Sequence, residues 1–424
     1  MIVSLTLLLC VFLALGMPIA FSMGLAATGA IALDGGVPLI VVAQKFYSSL
    51  DSFPLLAIPL FILAGSVMNV GGITERLIQL SQSLVGHVRG GLGQVSIFTS
   101  LLFAAISGSA AASAAAVGGM LIPAMERDGY RREDAAIITA AAAILGPIIP
   151  PSILMVIYGS ITGLSIGTLF LAGIGPGIVI TIILMITVNR MANRMNVRVY
   201  PRSTLVEMKR AFTSAVPALV MPGIIVGGII SGMFTATEAG AIAVAYGIAY
   251  AALTGRAGVK QFVANITQAA IASSSIMVIL GGAALFGWIL ARAGVPVMIA
   301  GALQSMTDKP AIVMALVLIA LLAIGIFIEP IPALVMLVPV LQPIANSYGF
   351  EPYHFATVVT YAVLLGSLSP PVAVLVLITC KIANIDYTRT TKPLIPVFLA
   401  LIAVLVVVAF VPAITLAIPR LFGA

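Results

Sequence analysis

Long runs of this chain contain no Asp, Glu, Lys or Arg, and that absence limits the fold more than any single motif does. The runs extend over 1–33, 52–74, 90–125, 135–189, 211–237, 261–291, 330–350, 352–380 and 393–419. A membrane-crossing helix needs about 20 apolar residues, so the runs together predict about ten to fourteen membrane segments. Only 8% of the 424 residues are charged while 61% are hydrophobic, whereas soluble domains carry about a quarter charged residues. Such a chain cannot clothe a water-soluble globule, and the same figures exclude disorder. Continuous apolar runs are not the alternating pattern of barrel strands. Cys10 and Cys380 both sit in apolar runs and form no disulfide scaffold. A net charge of +7 from 20 Lys and Arg makes no basic surface, so nucleic acid is not a partner. The reading is an all-α polytopic membrane protein whose surroundings are a lipid bilayer. The amino end lacks a basic n-region and a small-residue cleavage site, so Ile2 to Gly16 reads as part of a retained span.

Orientation comes from one segment. Arg190, Arg194, Arg198, Arg202, Lys209 and Arg210 crowd residues 190–210, with Glu207 the only acid among them. The positive-inside rule places this linker in the cytoplasm. An anionic-lipid contact, the alternative use of such a segment, needs the same leaflet. Residues 126–134 (ERDGYRRED) mix four acids with three arginines and mark a polar turn at a membrane face without indicating which.

The chain is also written twice. Gly146-Pro147-Ile148-Ile149-Pro150-Pro151 recurs 220 positions later as Gly366-Ser367-Leu368-Ser369-Pro370-Pro371, both reading G-x-x-x-P-P. The same offset pairs Pro123 with Pro343, Gly129 with Gly349, Tyr130 with Phe350 and Ala136 with Ala356. Upstream, residues 29–32 and 240–243 both read GAIA at an offset of 211. The expected organisation is a first repeat over 1–190, a basic linker over 191–210 and a second repeat over 211–424. Duplicated membrane halves point to a transporter. An odd number of crossings per half makes the repeats inverted, an even number parallel; inversion is the reading adopted.

Proline removes a backbone donor and clashes with the preceding turn, so Pro150-Pro151 and Pro370-Pro371 are expected to break their helices. The freed carbonyls cannot face hydrocarbon and must line protein interior or a wet cavity, where a cation can take them as ligands. A plain proline kink is the blander alternative. Before the first break lies Ser107-Gly108-Ser109 and then a run of alanines containing Ser113, read as the tip of a hairpin over about 92–127. Packing of helices through small residues would use the same composition. In the second half, within a hairpin over about 310–348, Glu329-Pro330 stands where Ser109-Ala110 stands in the first. A carboxylate at mid-bilayer costs about 3 kcal/mol and is expected to have a partner. Asp51 and Glu75 lie near run ends and read as interfacial. Glu238 follows Thr235 at capping-box spacing and marks a helix start. His87 and His354 have no metal-ligand spacing and read as helix-end polar groups.

Together these motifs resemble the large membrane subunit of a tripartite ATP-independent periplasmic (TRAP) transporter, of the C4-dicarboxylate or sialic acid type. The stretches that carry the resemblance are PLFILAG (59–65), GHVRGGLG (86–93), SGSAAASAAAVGGMLIPAM (107–125), GPIIPPS (146–152), TATEAGAIAVAY (235–246) and GSLSPPV (366–372), spread over both halves. The resemblance implies an elevator-type secondary transporter in a bacterial inner membrane, with two re-entrant hairpins, two broken helices (about 131–170 and 353–385) and amphipathic arm helices near 73–86 and 295–306. It implies import of an organic acid with Na+, a small four-helix membrane partner on a separate chain, and a periplasmic substrate-binding protein. Carried over residue by residue, it implies substrate contacts at Ser107, Ser109, Ser152 and Glu329. It implies sodium held around Gly108, Ser113, Gly146, Pro150, Gly325, Gly366, Ser367 and Ser369. The alanine run after Ser109 has no acid, so this tip offers no side-chain carboxylate. A stand-alone anion symporter needing no binding protein is the alternative. No G-x-S-x-G surrounds Ser107 or Ser109, which argues against an intramembrane serine enzyme, and no rings of charge suggest a channel.

Overall fold

A computed structural model describes every residue except Arg194, Asn196, Arg256, Ala257, Pro371 and Ala424. The expectations that fall on Arg194 of the basic linker and on Pro371 of the second Pro-Pro pair therefore lie outside the described residues. The fold is all-helical. In the first half run α1 (Ile2–Ala14), α2 (Ile19–Asp34), α3 (Ile40–Leu50), α4 (Ala57–Val70), α5 (Ile73–Val85), α6 (Gly91–Ser107), α7 (Ala110–Arg127), α8 (Arg132–Ala143), α9 (Ile153–Thr162) and α10 (Ile166–Ala192). In the second run α11 (Leu205–Ile230), α12 (Ala236–Thr254), α13 (Val259–Arg292), α14 (Val295–Met306), α15 (Pro310–Gly325), α16 (Pro330–Ser347), α17 (Pro352–Gly366), α18 (Val374–Ala383), α19 (Thr391–Phe410) and α20 (Ala413–Leu421). Short 3-10 turns at Phe53–Leu56 and Tyr387–Thr390 precede α4 and α19. Among the described residues seven helices are long and apolar enough to cross a membrane, and seven shorter apolar helices of 10–17 residues accompany them. Two of the shorter ones, α9 and α18, begin just after the helix breaks.

The sequence repeat is a structural repeat. Adding 220 to the bounds of α7 reproduces those of α16, and α8 and α17 begin at residues 132 and 352. The halves differ at one place: α13 runs unbroken for 34 residues, while its counterpart is cut into α3 and α4 at Asp51–Ser52, where Pro54 opens the 3-10 turn.

Packing separates an outer layer from an inner one. Outside, α2 packs on α1 and α13, α4 on α12 and α13, and α11 on α5 and α12. Small residues set these approaches, because between membrane helices close van der Waals contact substitutes for the hydrophobic effect. Gly24 meets Gly282 backbone to backbone at the α2–α13 crossing. Inside, the two halves interleave: α18 lies against α7 and α8, α16 against α9, and α10 against α19 and α20. The stretch Ala135–Ala143 of α8 is wholly buried, its alanines leaving room for neighbours on all sides.

Polar atoms are concentrated at helix ends. Thr204 with Glu207 and Thr235 with Glu238 form complete capping boxes at the starts of α11 and α12, as the Thr235–Glu238 spacing predicts. The linker is pinned rather than free. The Arg198 N–H donates to the Asp128 carbonyl at 3.1 Å, and the Tyr200 hydroxyl donates to the Asp128 carboxylate at 2.6 Å. A side chain at Gly91 would strike the Arg198 carbonyl oxygen at 2.5 Å, so glycine is what lets the linker lie against the start of α6.

Candidate functional site

A cavity of about 660 Å³ opens where the two hairpin tips approach each other. Its walls come from both tips (Ser107 to Ala112 and Glu329 to Ile331), from both helix breaks (Pro147 and Ser367), and from α4 and α13 of the outer layer. Residues that are far apart in sequence but equivalent in the repeat therefore meet at one place.

The arrangement of helix ends around it is electrically ordered. The first turns of α7 (Ala110 to Ala112), α9 (Ile153, Leu154), α16 (Pro330, Ile331) and α18 (Val374, Leu375) all line the cavity. A helix start carries unsatisfied N–H groups and roughly half a positive charge. Four such starts confront the interior, while Glu329 is the only ionisable side chain among the lining residues. The helix starts favour negative charge in the cavity, the Glu329 carboxylate opposes it, and no cationic side chain lines the wall.

Behind the tips the backbone is packed to contact. Gly108 ends α6 in the left-handed region at φ 61°, and a side chain there would collide with the Pro151 carbonyl oxygen. A Cβ on Gly146 would lie 2.7 Å from the Ser109 carbonyl oxygen. In the second half a Cβ on Gly366 would lie 2.5 Å from the Gly325 Cα. Each hairpin tip is thus pressed on a helix break of its own half. Gly65 of α4 brings the outer layer to the same point, with a Cβ there 3.3 Å from the Ser107 Cα.

The sequence-assigned residues divide into two shells. Ser107, Gly108, Ser109, Glu329 and Ser367 line the cavity. Ser113, Gly146, Pro150, Ser152, Gly325, Gly366 and Ser369 lie behind that wall and are buried. Ser109 is the N-cap of α7 and accepts from the Ala112 N–H at 3.3 Å. The Ser107 and Ser113 hydroxyls pair at 3.3 Å. Ser367 donates to the Leu364 carbonyl at 2.6 Å, which leaves its lone pairs available to an ion. Ser152 is placed differently from a substrate contact: it caps α9, accepts from the Met155 N–H at 3.1 Å, and donates to the Pro147 carbonyl. It holds the break together from inside. Glu329 occupies the N-cap position of α16 without a side-chain capping bond. The partner expected for its carboxylate is not found among the described residues.

The outer layer adds groups that sequence reasoning does not pick out. Ser66 and Asn69 of α4 line the cavity, and the Asn69 amide oxygen accepts from the Thr74 hydroxyl at 2.5 Å. Asn69 is the only amide side chain in the uncharged run 52–74, a signal visible only once α4 is known to face the site. His354 is a helix-end residue as expected, but it is buried, bonded to Thr415 at 2.8 Å and to the Ala409 carbonyl at 3.1 Å. Among the described residues no group of three or more His, Cys, Asp or Glu gathers. Hydroxyl and carbonyl oxygens are the cation ligands at hand, and these suit a hard ion.

Two interleaved halves, each bringing a hairpin and a broken helix to a shared central cavity, define a membrane-embedded secondary transporter. The solved YdaH transporter of Alcanivorax borkumensis has a similar fold, with a TM-score of 0.63 at 14% identity over 87% of this chain and 86% of that one. So does MtrF of Neisseria gonorrhoeae, with a TM-score of 0.61 at 12% identity over 88% and 83%. The chain belongs to the tripartite ATP-independent periplasmic transporter family, DctM component, which it matches over residues 6–414. It is 36% identical to the sialic acid TRAP transporter large permease SiaM of Vibrio cholerae over 96% of both chains. It is 34% identical to the 2,3-diketo-L-gulonate large permease YiaN of Escherichia coli over 94% of both. The C4-dicarboxylate large permease DctM of Pseudomonas aeruginosa is also 34% identical, over 95% of this chain and 94% of that one. The protein is thus a multi-pass permease of a secondary transporter for organic acids and not an enzyme.

Proposed function

We propose that the protein is the large membrane subunit of a sodium-coupled importer of an organic acid anion, fed by a periplasmic binding protein. The observation that carries this reading is the convergence of four helix starts on one cavity. Helix starts favour the anion, and the chain leaving the ends of α6, α8, α15 and α17 offers carbonyls and the Ser367 hydroxyl for the sodium ion. The cation assembles its shell where tip and break touch, around Gly108, Ser113, Gly146 and Pro150 in one half and Gly325, Gly366, Ser367 and Ser369 in the other. The anion lies between the tips, against Ser107, Ser109 and Glu329. Ser152 acts indirectly by shaping the first break.

Coupling requires sodium to favour the loaded site, which is a difference in affinity between states. The hairpins and broken helices move as one block against the outer layer in an elevator motion. Basic linker 190–210 lies in the cytoplasm of a bacterial inner-membrane protein, so odd-numbered crossings in each half place both termini outside. A small four-helix membrane subunit completes the outer layer. The substrates for which the relatives are named, sialic acid, 2,3-diketo-L-gulonate and C4-dicarboxylates, are all organic acid anions, and this cavity takes a member of that class.

Isotope flux into proteoliposomes containing both partner proteins tests the reading. Uptake should require an inward sodium gradient and should stop when the binding protein is withheld. Undiminished uptake without the gradient refutes coupling, and undiminished uptake without the binding protein identifies a stand-alone symporter.

A further inference from the structure

Away from the cavity, two cations share one aromatic ring. Lys45 of α3 has its Nζ 5.7 Å from the centroid of Trp288, and Arg292, one turn further along α13, has its Cζ 5.7 Å from the same centroid. The two charges therefore lie within twice that distance of each other and repel. Neither makes an ion pair with a carboxylate among the described residues. Cation–π attraction of roughly 1 kcal/mol each at a partly buried indole does not neutralise them. The geometry is held firmly, because Gly281 of α13 allows the Phe46 ring of α3 to pack directly on its backbone.

Position makes the pair more unusual. Arg292 is the last residue of α13, and α11, α12 and α13 are each long and apolar enough to cross the membrane. Three crossings after the basic linker, the Arg292 end lies on the opposite face. That face is where the positive-inside rule leaves the fewest cations. The helices beside the pair carry exposed apolar side chains: Leu39 and Ile40 at the start of α3, Tyr47 two residues after Lys45, and Val297 and Met298 on α14, which follows Arg292. Indole, two cations and an apolar surround form the chemistry of a phospholipid phosphate with its acyl chains laid alongside.

We propose that Lys45, Trp288 and Arg292 form a binding site for the phosphate of an anionic phospholipid on the face opposite the basic linker. The site lies where α3 packs against the end of α13 and α14 follows it, so an occupied site ties the outer layer to one annular lipid. The inference goes beyond the transport reading and shares with it only the placement of the linker.

Trp288 is the only tryptophan in the chain, so its fluorescence reports this site alone. The protein is placed in phosphatidylcholine nanodiscs containing increasing fractions of phosphatidylglycerol brominated on its acyl chains. A parallel series uses brominated phosphatidylcholine. Each cation near an anionic headgroup favours it by roughly fivefold. Brominated phosphatidylglycerol should therefore half-quench Trp288 at a mole fraction at least about fivefold lower than brominated phosphatidylcholine. The K45Q/R292Q double variant should bring the two curves together, and K45Q or R292Q alone should close part of the gap if the double variant does not fold. Millimolar inorganic phosphate should leave the quenching unchanged. Coincident curves for the unaltered protein overturn the proposal, as does a preference that survives in the double variant. Relief of quenching by inorganic phosphate overturns the lipid assignment in favour of a free-anion site. None of these outcomes depends on sodium-driven uptake, so the transport reading stands or falls separately.

Discussion

Gly108→Ala tests whether the first hairpin tip rests on the first helix break, and Gly163→Ala is its internal reference. Both glycines end a helix in the left-handed region, Gly108 at φ 61° and Gly163 at φ 75°. An L-residue there costs about 1–2 kcal/mol from its own Cβ. Nothing lies within 4 Å of a Cβ at Gly163, whereas at Gly108 the added atom meets the Pro151 carbonyl, with the Ile153 N 3.6 Å away. Forcing an atom into a packed core adds about 1–3 kcal/mol. G163A should thus lose about 1–2 kcal/mol, and G108A about 2–5 kcal/mol. The difference between the variants isolates the contact of tip on break. Thermal midpoints in a fixed detergent measure it, at roughly 1 °C per kcal/mol for a chain of this length, because unfolding entropy scales with residue number. G108A should melt about 1–3 °C below G163A, and if the proposed sodium shell forms at this junction, sodium should stabilise G163A but not G108A. Equal midpoints with equal sodium responses would mean that the tip and the break do not bear on each other, and the sodium shell assigned to that junction would fall.

Further outcomes follow from other junctions. Gly366→Ala drives a Cβ to 2.5 Å from the Gly325 Cα, so it should cost about 1–3 kcal/mol and, if the proposed sodium shell forms there, abolish the rise in thermal midpoint that sodium would give. Gly119→Ala in α7, whose Cβ would meet nothing within 4 Å, should leave that rise intact. Thr235→Ala removes the capping box of α12 and should lower stability by about 1 kcal/mol, seen as a midpoint drop of about 1 °C with unchanged substrate specificity. Tyr200 has its hydroxyl pushed up to about 12 by burial and by the hydrogen bond to Asp128. Folding favours its neutral form, so the contact is complete below the ordinary tyrosine range near 10 and is lost as pH rises through about 12. In a spectrophotometric titration Tyr200→Phe should delete a tyrosinate step near 12; deletion of a step near 10 would refute the pinned linker.

The repeat was readable because proline and glycine report backbone geometry directly. Pro150-Pro151 and the glycines at 146 and 366 mark the breaks in both halves, and α9 and α18 begin shortly after them. Ser107, Ser109 and Glu329 were readable as tip residues because each interrupts an apolar run where a polar group needs a reason. Ser152 shows the limit of that logic. Its hydroxyl looks like a free ligand in the sequence, yet a capping position and the Pro147 carbonyl absorb it. Asn69 shows the opposite limit. Its use depends on which face of α4 meets the hairpin, and helical periodicity in a uniformly apolar stretch does not mark a face. Nor does composition distinguish the cut pair α3 and α4 from the continuous α13, since the difference rests on Pro54 and the residues beside it.

That uncut helix sets the carrier against the thickness of its surroundings. With 34 residues at about 1.5 Å each, α13 is about 51 Å long, and the hydrocarbon layer is about 30 Å thick. Even at the steep end of observed tilts, about 40°, a helix uses only some 39 Å to pass through. The surplus falls at the start of α13, where Lys260, Gln261, Asn265 and Gln268 are found. A helix longer than the layer it crosses leans over, or thickens the layer around it. A thinner membrane should therefore increase the lean of α13 and a thicker one reduce it, which makes the stance of the outer layer a property shared between protein and lipid.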